Sequence, residues 1–292
     1  MPRPARSSSQ ESRRSGATIG DLLAAEADSL CEVIAQGLAD ARNRHPGIHR
    51  ARRAMRSLRG LLALLVPVAE GDDRIALARF DARLKRLCRS LSGVRDAHVV
   101  VLTAASLAKK TAPGRWPALQ ARLVEQRELT TRHALEADPD FAARRRAIAE
   151  IRAAAPALPW RRLDAEDIQR GLKHSRRRAK RAQRHARHSA IARDRHRYRR
   201  RLRRLLLQVE VLERALETAP KAVRAVADLP GGHRRKREAS RLGRLQDLQM
   251  LRRTARRIEP ARSDKAIRAV LNTAVRAARE DLGTLGPTRG TG

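Results

Sequence analysis

Between Arg170 and Arg204 the chain places 17 Lys or Arg and four His in 35 positions, against one acid, Asp194. Cations at that density repel one another, so the segment folds only if its side chains are sorted away from the core. Helical spacing sorts them. At about 100° per residue, Arg170, Lys173, His174, Arg177, Lys180, Arg181, Arg184 and His188 share one side. Ile168, Leu172, Ala179, Ala182, Ala186 and Ala190 share the other. The pattern predicts a helix with a thin, Ala-rich packing seam and a basic stripe facing an anionic partner. A merely solvated face is the competing reading.

The rest of the chain agrees with helices. Hydrophobic residues make up 41% of the sequence but aromatics only 2%. Ala, Leu, Arg and Glu are good helix formers, and no run of alternating β-branched residues stands out. The fold class read from the sequence is all-α. The 292 residues suffice for one large domain or two small ones. The 66 Lys and Arg exceed the 31 Asp and Glu by 35. Such an excess selects partners rather than folds: nucleic acid, an inorganic polyanion or an anionic membrane surface. Arg outnumbers Lys, which suits forked contacts to phosphate.

Cys31 and Cys88 lie at apolar helical positions and are expected as core thiols, in keeping with a reducing compartment. No apolar run reaches membrane-span length. Residues 1–17 lack the apolar stretch of a secretory signal. A cytoplasmic protein with no membrane partner is the expectation, and oligomeric state is left open.

Punctuation sets the organisation. A disordered basic tail is expected over 1–17, followed by a helix capped at Thr18 and running to about Arg44. His45-Pro46-Gly47 reads as a break, so the second helix is expected from Ile48 to Val66, ahead of Pro67. A third is expected from Asp72 to Leu91, ended by Ser92-Gly93, and a fourth from Asp96. Pro113-Gly114 and Pro139 bound helices near 116–137 and 140–154. AAAPALPW (153–160) reads as a linker between a first bundle, 18–155, and a second, 156–283. In the second bundle, helices are expected at 163–190 and 192–218, then shorter ones after Pro220 and Pro230-Gly231-Gly232, and a flexible tail over 284–292. Short loops of this kind join antiparallel helices.

The two halves echo one another. Setting His49 on His196 aligns Arg52 with Arg199, Arg53 with Arg200, Arg56 with Arg203 and Leu58 with Leu205. LSGVRDAHVV (91–100) aligns with LGRLQDLQML (242–251), setting Asp96 on Asp247. On the first helix His49, Arg52, Arg53, Arg56 and Arg59 fall within about 120°, with Met55, Leu58, Leu61, Leu62 and Leu65 behind them. His196, Arg199, Arg200, Arg203 and Arg204 repeat that face on the second, backed by Tyr198, Leu202, Leu205 and Val209. Guanidiniums one turn, about 5.4 Å, apart form a ladder matched to a chain of oxyanions.

These residues resemble the CHAD domain, the conserved histidine α-helical domain. Its mark is a duplicated His-x-x-Arg-x-x-x-(Arg/Lys)-(Arg/Lys)-Leu-Arg helix, each copy followed by a Gly-containing turn ending in Asp. Here the first copy is His49, Arg52, Arg56, Ser57, Leu58 and Arg59, then Gly93, Arg95 and Asp96. The second is His196, Arg199, Arg203, Arg204 and Leu205, then Leu242, Gly243 and Asp247. The match spans about residues 18–283; Ser57, Leu206, Leu207 and Gln246 depart from the pattern. The resemblance implies two tandem antiparallel helical bundles, related by internal duplication and pseudo-twofold symmetry, around a basic central groove. It further implies binding of inorganic polyphosphate without a reaction, and an association with polyphosphate granules.

The expected binding set is His49, Arg52, Arg53, Arg56, Arg59, Arg95, Lys173, Arg177, Lys180, Arg181, Arg184, His196, Arg199, Arg200, Arg203 and Arg204. Imidazoles among so many cations should be held neutral and donate N–H to an anion; a structural role is the rival. Asp96 and Asp247 are expected to cap a helix or orient Arg, and Glu210 to orient Arg203 or Arg199. No catalytic residue, metal or cofactor is expected: there is no P-loop or nucleophile elbow, and no acidic cluster for a metal. His185-x-x-His188 lacks companion ligands. The alternative function is nonspecific nucleic-acid binding. Against it, two Trp, two Phe and one Tyr supply few stacking platforms.

Overall fold

The computed structural model describes residues 17–111, 116–189, 191–217, 219, 221–227, 232–258 and 264–283. The expected terminal tails (apart from Ala17), Ala190, and the turns at Pro113-Gly114, Pro220 and Pro230-Gly231 lie outside them. The described residues are all-α and contain no strand. The helices are α1 (Ile19–Ala39), α2 (Arg44–Leu65), α3 (Gly71–Ser90), α4 (Ser92–Ala108), α5 (Pro117–Glu136), α6 (Ala142–Ala154), α7 (Ala165–His188), α8 (Ala192–Ala215), a single turn α9 (Lys221–Arg224), α10 (Gly232–Ala255) and α11 (Lys265–Gly283).

Local chemistry accounts for the boundaries. Thr18 and Asp21 form a reciprocal capping box on α1, as Asp164 and Asp167 do on α7. His45-Pro46-Gly47 does not break the chain; it forms the first turn of α2. Pro fits there because the leading N–H groups of a helix have no intrahelical acceptor. The chain turns instead at 40–43, where Asp40 Oδ1 accepts from Asn43 N at 2.8 Å. Ser92-Gly93 opens α4 rather than ending α3, since the reversal is confined to Leu91. The helices after Pro230 are not short: α10 has 24 residues and α11 has 19.

Glycines permit the tightest crossing. A Cβ on Gly37 of α1 would lie 2.6 Å from the carbonyl oxygen of Gly47 in α2, and Gly47 meets the Gly37 carbonyl in the same way. The two backbones touch because neither residue carries a side chain. α2 is in turn pressed against α8, where the buried Gln208 Nε2 donates to the Gly60 carbonyl oxygen at 3.1 Å.

Two main cores result, and each draws on both halves of the chain. The larger joins α1, α2, α3, α6, α7 and α8 through residues such as Leu23, Ile34, Met55, Leu84, Phe141, Ile168 and Leu212. The expected linker is part of this core: Ala155, Leu158 and Trp160 are buried, and Trp160 Nε1 donates to the Ala155 carbonyl oxygen at 2.8 Å. Its lack of charge, which suggested a free connection, reflects burial against α1. The second core joins α4 and α5 to α10 and α11 through Val100, Trp116, Leu119, Leu245, Leu251 and Ile267. A small cluster of Ala182, Tyr198, Leu202 and Leu242 ties α7 and α8 to α10. Cys31 and Cys88 are buried free thiols, and burial pushes Cys31 up to about 12. With α2 against α8 and α4 against α10, the polar edges of these four helices meet in one place.

Candidate anion-binding groove

That place is a groove of about 1010 Å³ walled by α2, α4, α8 and α10. α2 supplies His49 and Arg53, α4 supplies Arg95, and α8 supplies Arg199 and Arg203. Lys236 and Arg244 come from α10, and Lys110 from just beyond α4. Much of the remaining wall is apolar: Val99, Leu102, Leu107, Leu206, Leu207 and Leu248. Apolar walls lower the local dielectric and strengthen the pull of each cation on an incoming anion.

The arginines of the two ladders are held differently. Arg52 turns away from the groove, donating to the Cys88 carbonyl oxygen and, at 3.1 Å, to Ser92 Oγ. It thereby ties the end of α3 to the start of α4, satisfying a carbonyl that a helix terminus leaves open. Arg59 makes a forked contact to Asp81, 2.6 Å from Nε and 3.0 Å from Nη2. Arg53 Nη2 donates to Glu210 Oε1 at 2.6 Å, and Glu210 also receives Arg214 at 3.3 Å. Glu210 therefore orients Arg53, not the Arg203 or Arg199 expected from sequence. Arg199 and Arg203 have no hydrogen bond or ion pair to the protein among the described residues. The Nε atoms of Arg56 and Arg199 are buried without an acceptor.

Electrostatics record the crowding. Burial, then the Arg203 cation, pulls Arg56 down to about 9. The same two causes bring Arg199 to about 10. Both guanidiniums stay charged near neutral pH, in surroundings that favour an added anion. Arg203 and Arg204 are lowered chiefly by burial as well. His49 is lowered by burial and then by Arg56, Arg95, Arg203 and Arg53; His196 by burial, then Arg200 and Arg199. Asp247 is the groove's internal counter-charge. Its Oδ1 lies 3.9 Å from Arg95 Nη2, and burial raises its carboxyl although Arg95, Arg199 and Arg203 pull it the other way. Asp96 holds Arg95 at 2.8 Å. It does not cap α4, whose N-cap is Leu91.

Of the sixteen residues expected to bind, five line the groove: His49, Arg53, Arg95, Arg199 and Arg203. Arg52, Arg56, Arg59 and Arg204 are half-buried and do not line it; His196 and Arg200 are largely exposed on α8 and do not line it either, His196 being hydrogen-bonded to Gln246 of α10. Lys173, Arg177, Lys180, Arg181 and Arg184 are exposed on α7 and do not line it. α7 packs its Ala seam against α8 and α10, which turns the basic stripe outward. Three groove cations escaped sequence reasoning. Arg244 follows Gly243 in the second turn motif, and Lys236 sits in the basic run HRRKR (233–237), so both left a trace. Lys110 left none. Among the described residues no cluster of three or more His, Cys, Asp or Glu is placed to hold a metal ion, and no helix is long and apolar enough to cross a membrane.

An all-helical protein with two cation-bearing helices set against each other at a shared groove is the class defined so far. The family model for the CHAD domain matches residues 24–256, and the chain belongs to that family. Among solved structures, it is similar to the CHAD domain from the plant Ricinus communis, with 19% identity and a TM-score of 0.55 over 92% of this chain and 88% of that one. No match to a curated protein was found.

Proposed function

We propose that the groove binds inorganic polyphosphate and does not transform it. The observation that carries this reading is the state of Arg199 and Arg203: half-buried, facing the groove beside Arg53, Arg95 and Arg244, and without a protein acceptor. Buried donors left unpaired are costly, and a chain of closely spaced oxyanions would pair several at once. His49, held toward neutral, would add an N–H without adding repulsion. Among the described residues no Phe, Tyr or Trp lines the groove, which removes the stacking platforms that single-stranded nucleic acid uses. Membership of the CHAD family supports the same ligand. Association with polyphosphate granules follows as part of the proposal.

The test is titration of the full chain with long-chain polyphosphate at about 150 mM salt, in competition with single-stranded DNA. Arg199→Ala with Arg203→Ala should weaken polyphosphate binding about 100-fold, as expected for two charge-assisted contacts, with helicity unchanged by circular dichroism. Unaltered affinity in a folded double variant overturns the assignment. Release of phosphate on incubation with Mg²⁺ or Mn²⁺ would overturn its non-catalytic part.

A further inference from the structure

The densest basic segment of the sequence is not in the groove, and it needs a separate account. α7 buries Ile168, Leu172, Ala179 and Ala182, and on its opposite side exposes Lys173, Arg177, Lys180, Arg181 and Arg184. At about 100° per residue, Lys173, Arg177, Lys180 and Arg184 fall within roughly 60° of arc. None of these five has a hydrogen bond or ion pair to the protein among the described residues. Acids occur only at the ends and on the flank. Asp167 pairs with Arg170 at the start of the helix, and Asp194 lies beyond its C-terminus. Glu238 is buried and accepts from Gln183. At the C-terminal end Arg181, Arg184, His185 and His188 border an open depression of about 380 Å³ with Ser189 and Asp194.

We infer that this outer face of α7 is a second anion-binding surface, whose ligand is duplex nucleic acid. Shape decides between ligands. The groove offers donors from several helices around a slender chain. α7 is convex and offers donors from one side only. A flexible polyphosphate lying there would lose chain entropy for half the contacts. A duplex is already rigid, with its phosphates fixed in rows. From Lys173 to Arg184 the cations of α7 span about 17 Å, half of the roughly 34 Å of one duplex turn. An anionic membrane fits less well. Helices that lie in lipid interfaces insert an apolar face, and the apolar face of α7 is occupied by the protein's own core.

The test uses the full chain, a random-sequence duplex of about 20 base pairs, long-chain polyphosphate, and phosphatidylcholine vesicles with and without phosphatidylserine. The α7 variant combines Lys173→Gln, Arg177→Gln, Lys180→Gln, Arg181→Gln and Arg184→Gln. Gln is a good helix former and these side chains support no internal contact, so the fold should hold, as circular dichroism would verify. The expected result is a loss of duplex affinity of more than about tenfold and a salt slope shallower by about four to five. Polyphosphate affinity should change less than about threefold. The groove variant Arg199→Ala/Arg203→Ala should do the reverse, so failure of the groove reading leaves the α7 result intact. Unchanged duplex binding in the α7 variant overturns the inference. So does a parallel loss of polyphosphate binding, which would make α7 an extension of the polyphosphate track. Phosphatidylserine vesicles bound more tightly than duplex would make the face a membrane surface and likewise overturn it.

Discussion

α2 and α8 carry the same order of cations and use them differently. On α2, Arg52, Arg53 and Arg59 are committed to the Cys88 carbonyl, Glu210 and Asp81. On α8, Arg199 and Arg203 project into the groove and bond to nothing in the protein among the described residues. The difference comes from what packs alongside. α2 lies next to the α3–α4 reversal, whose open carbonyl needs a donor, and α3 presents Asp81. Near Arg199 and Arg203 the groove offers Asp247, whose carboxyl is raised by burial, and Glu210, which is taken up by Arg53 and Arg214. The α2 ladder is therefore tied largely into the wall, and the α8 ladder keeps Arg199 and Arg203 open to the groove.

The sharpest way to break this contrast is to remove the matched pair Arg52 and Arg199 one at a time. Arg52→Ala strands a carbonyl and should cost about 1 to 3 kcal/mol of stability, read as a lower urea midpoint at unchanged slope. Polyphosphate affinity of the folded variant should stay within about threefold. Arg199→Ala should leave the midpoint equal or higher, because it relieves repulsion from Arg203, and should weaken polyphosphate binding about tenfold. Identical behaviour of the two variants would erase the distinction between wall and ligand face.

This contrast also marks what the sequence could tell. Helix type and many helix ends were legible because capping residues, Gly and Pro act locally: Thr18 caps α1 as expected, and α8 opens at Ala192, the residue expected. The first turn of α2 was misread because Pro breaks a helix interior but not its first turn. Both ladder faces were legible from spacing. Whether a guanidinium on such a face meets a carbonyl, a carboxylate or open solvent depends on neighbours distant in sequence, such as Cys88, Glu210 and Asp247. The α7 stripe was the loudest signal and lies outside the groove. Charge density fixes which side of a helix is polar, but not where packing turns that side. Conversely Lys110 joins the groove through the packing of α4 against α10 alone.

A smaller effect separates the two halves by pH. His45 at the start of α2 stacks on His98 of α4, ring centroids 4.6 Å apart and planes within 2°. Burial, then the His45 ring, brings His98 down to about 4, and His45 is lowered by burial and Arg127. The positions aligned with them, Ala192 and Gln249, do not titrate. A depressed imidazole leaves stability unaffected above the unfolded value, about 6.5. As pH falls below that, the unfolded chain takes up protons and the folded chain does not, so stability drops until the pH nears 4. Denaturation midpoints should decline over this window, and His98→Asn should flatten the decline. A variant as acid-sensitive as the parent would place the titrating groups elsewhere.

The smallest predicted change tests whether α2 contributes to the ligand at all. Glu210 lines the groove, holds Arg53 at 2.6 Å, and is shared with Arg214, which also reaches Glu26 at 2.7 Å. Its charge repels an incoming polyanion while its geometry positions a cation, and the two effects oppose each other. Glu210→Gln keeps the shape and an acceptor but removes one negative charge, which leaves the local field more positive. Polyphosphate affinity should rise about two- to fivefold at low salt, and the gain should shrink as salt screens the groove. Stability should change by less than about 1 kcal/mol, since the pairs are partly exposed. A fall in affinity would mean that the orientation of Arg53 matters more than the charge beside it, and α2 would then share in recognition on the same footing as α8.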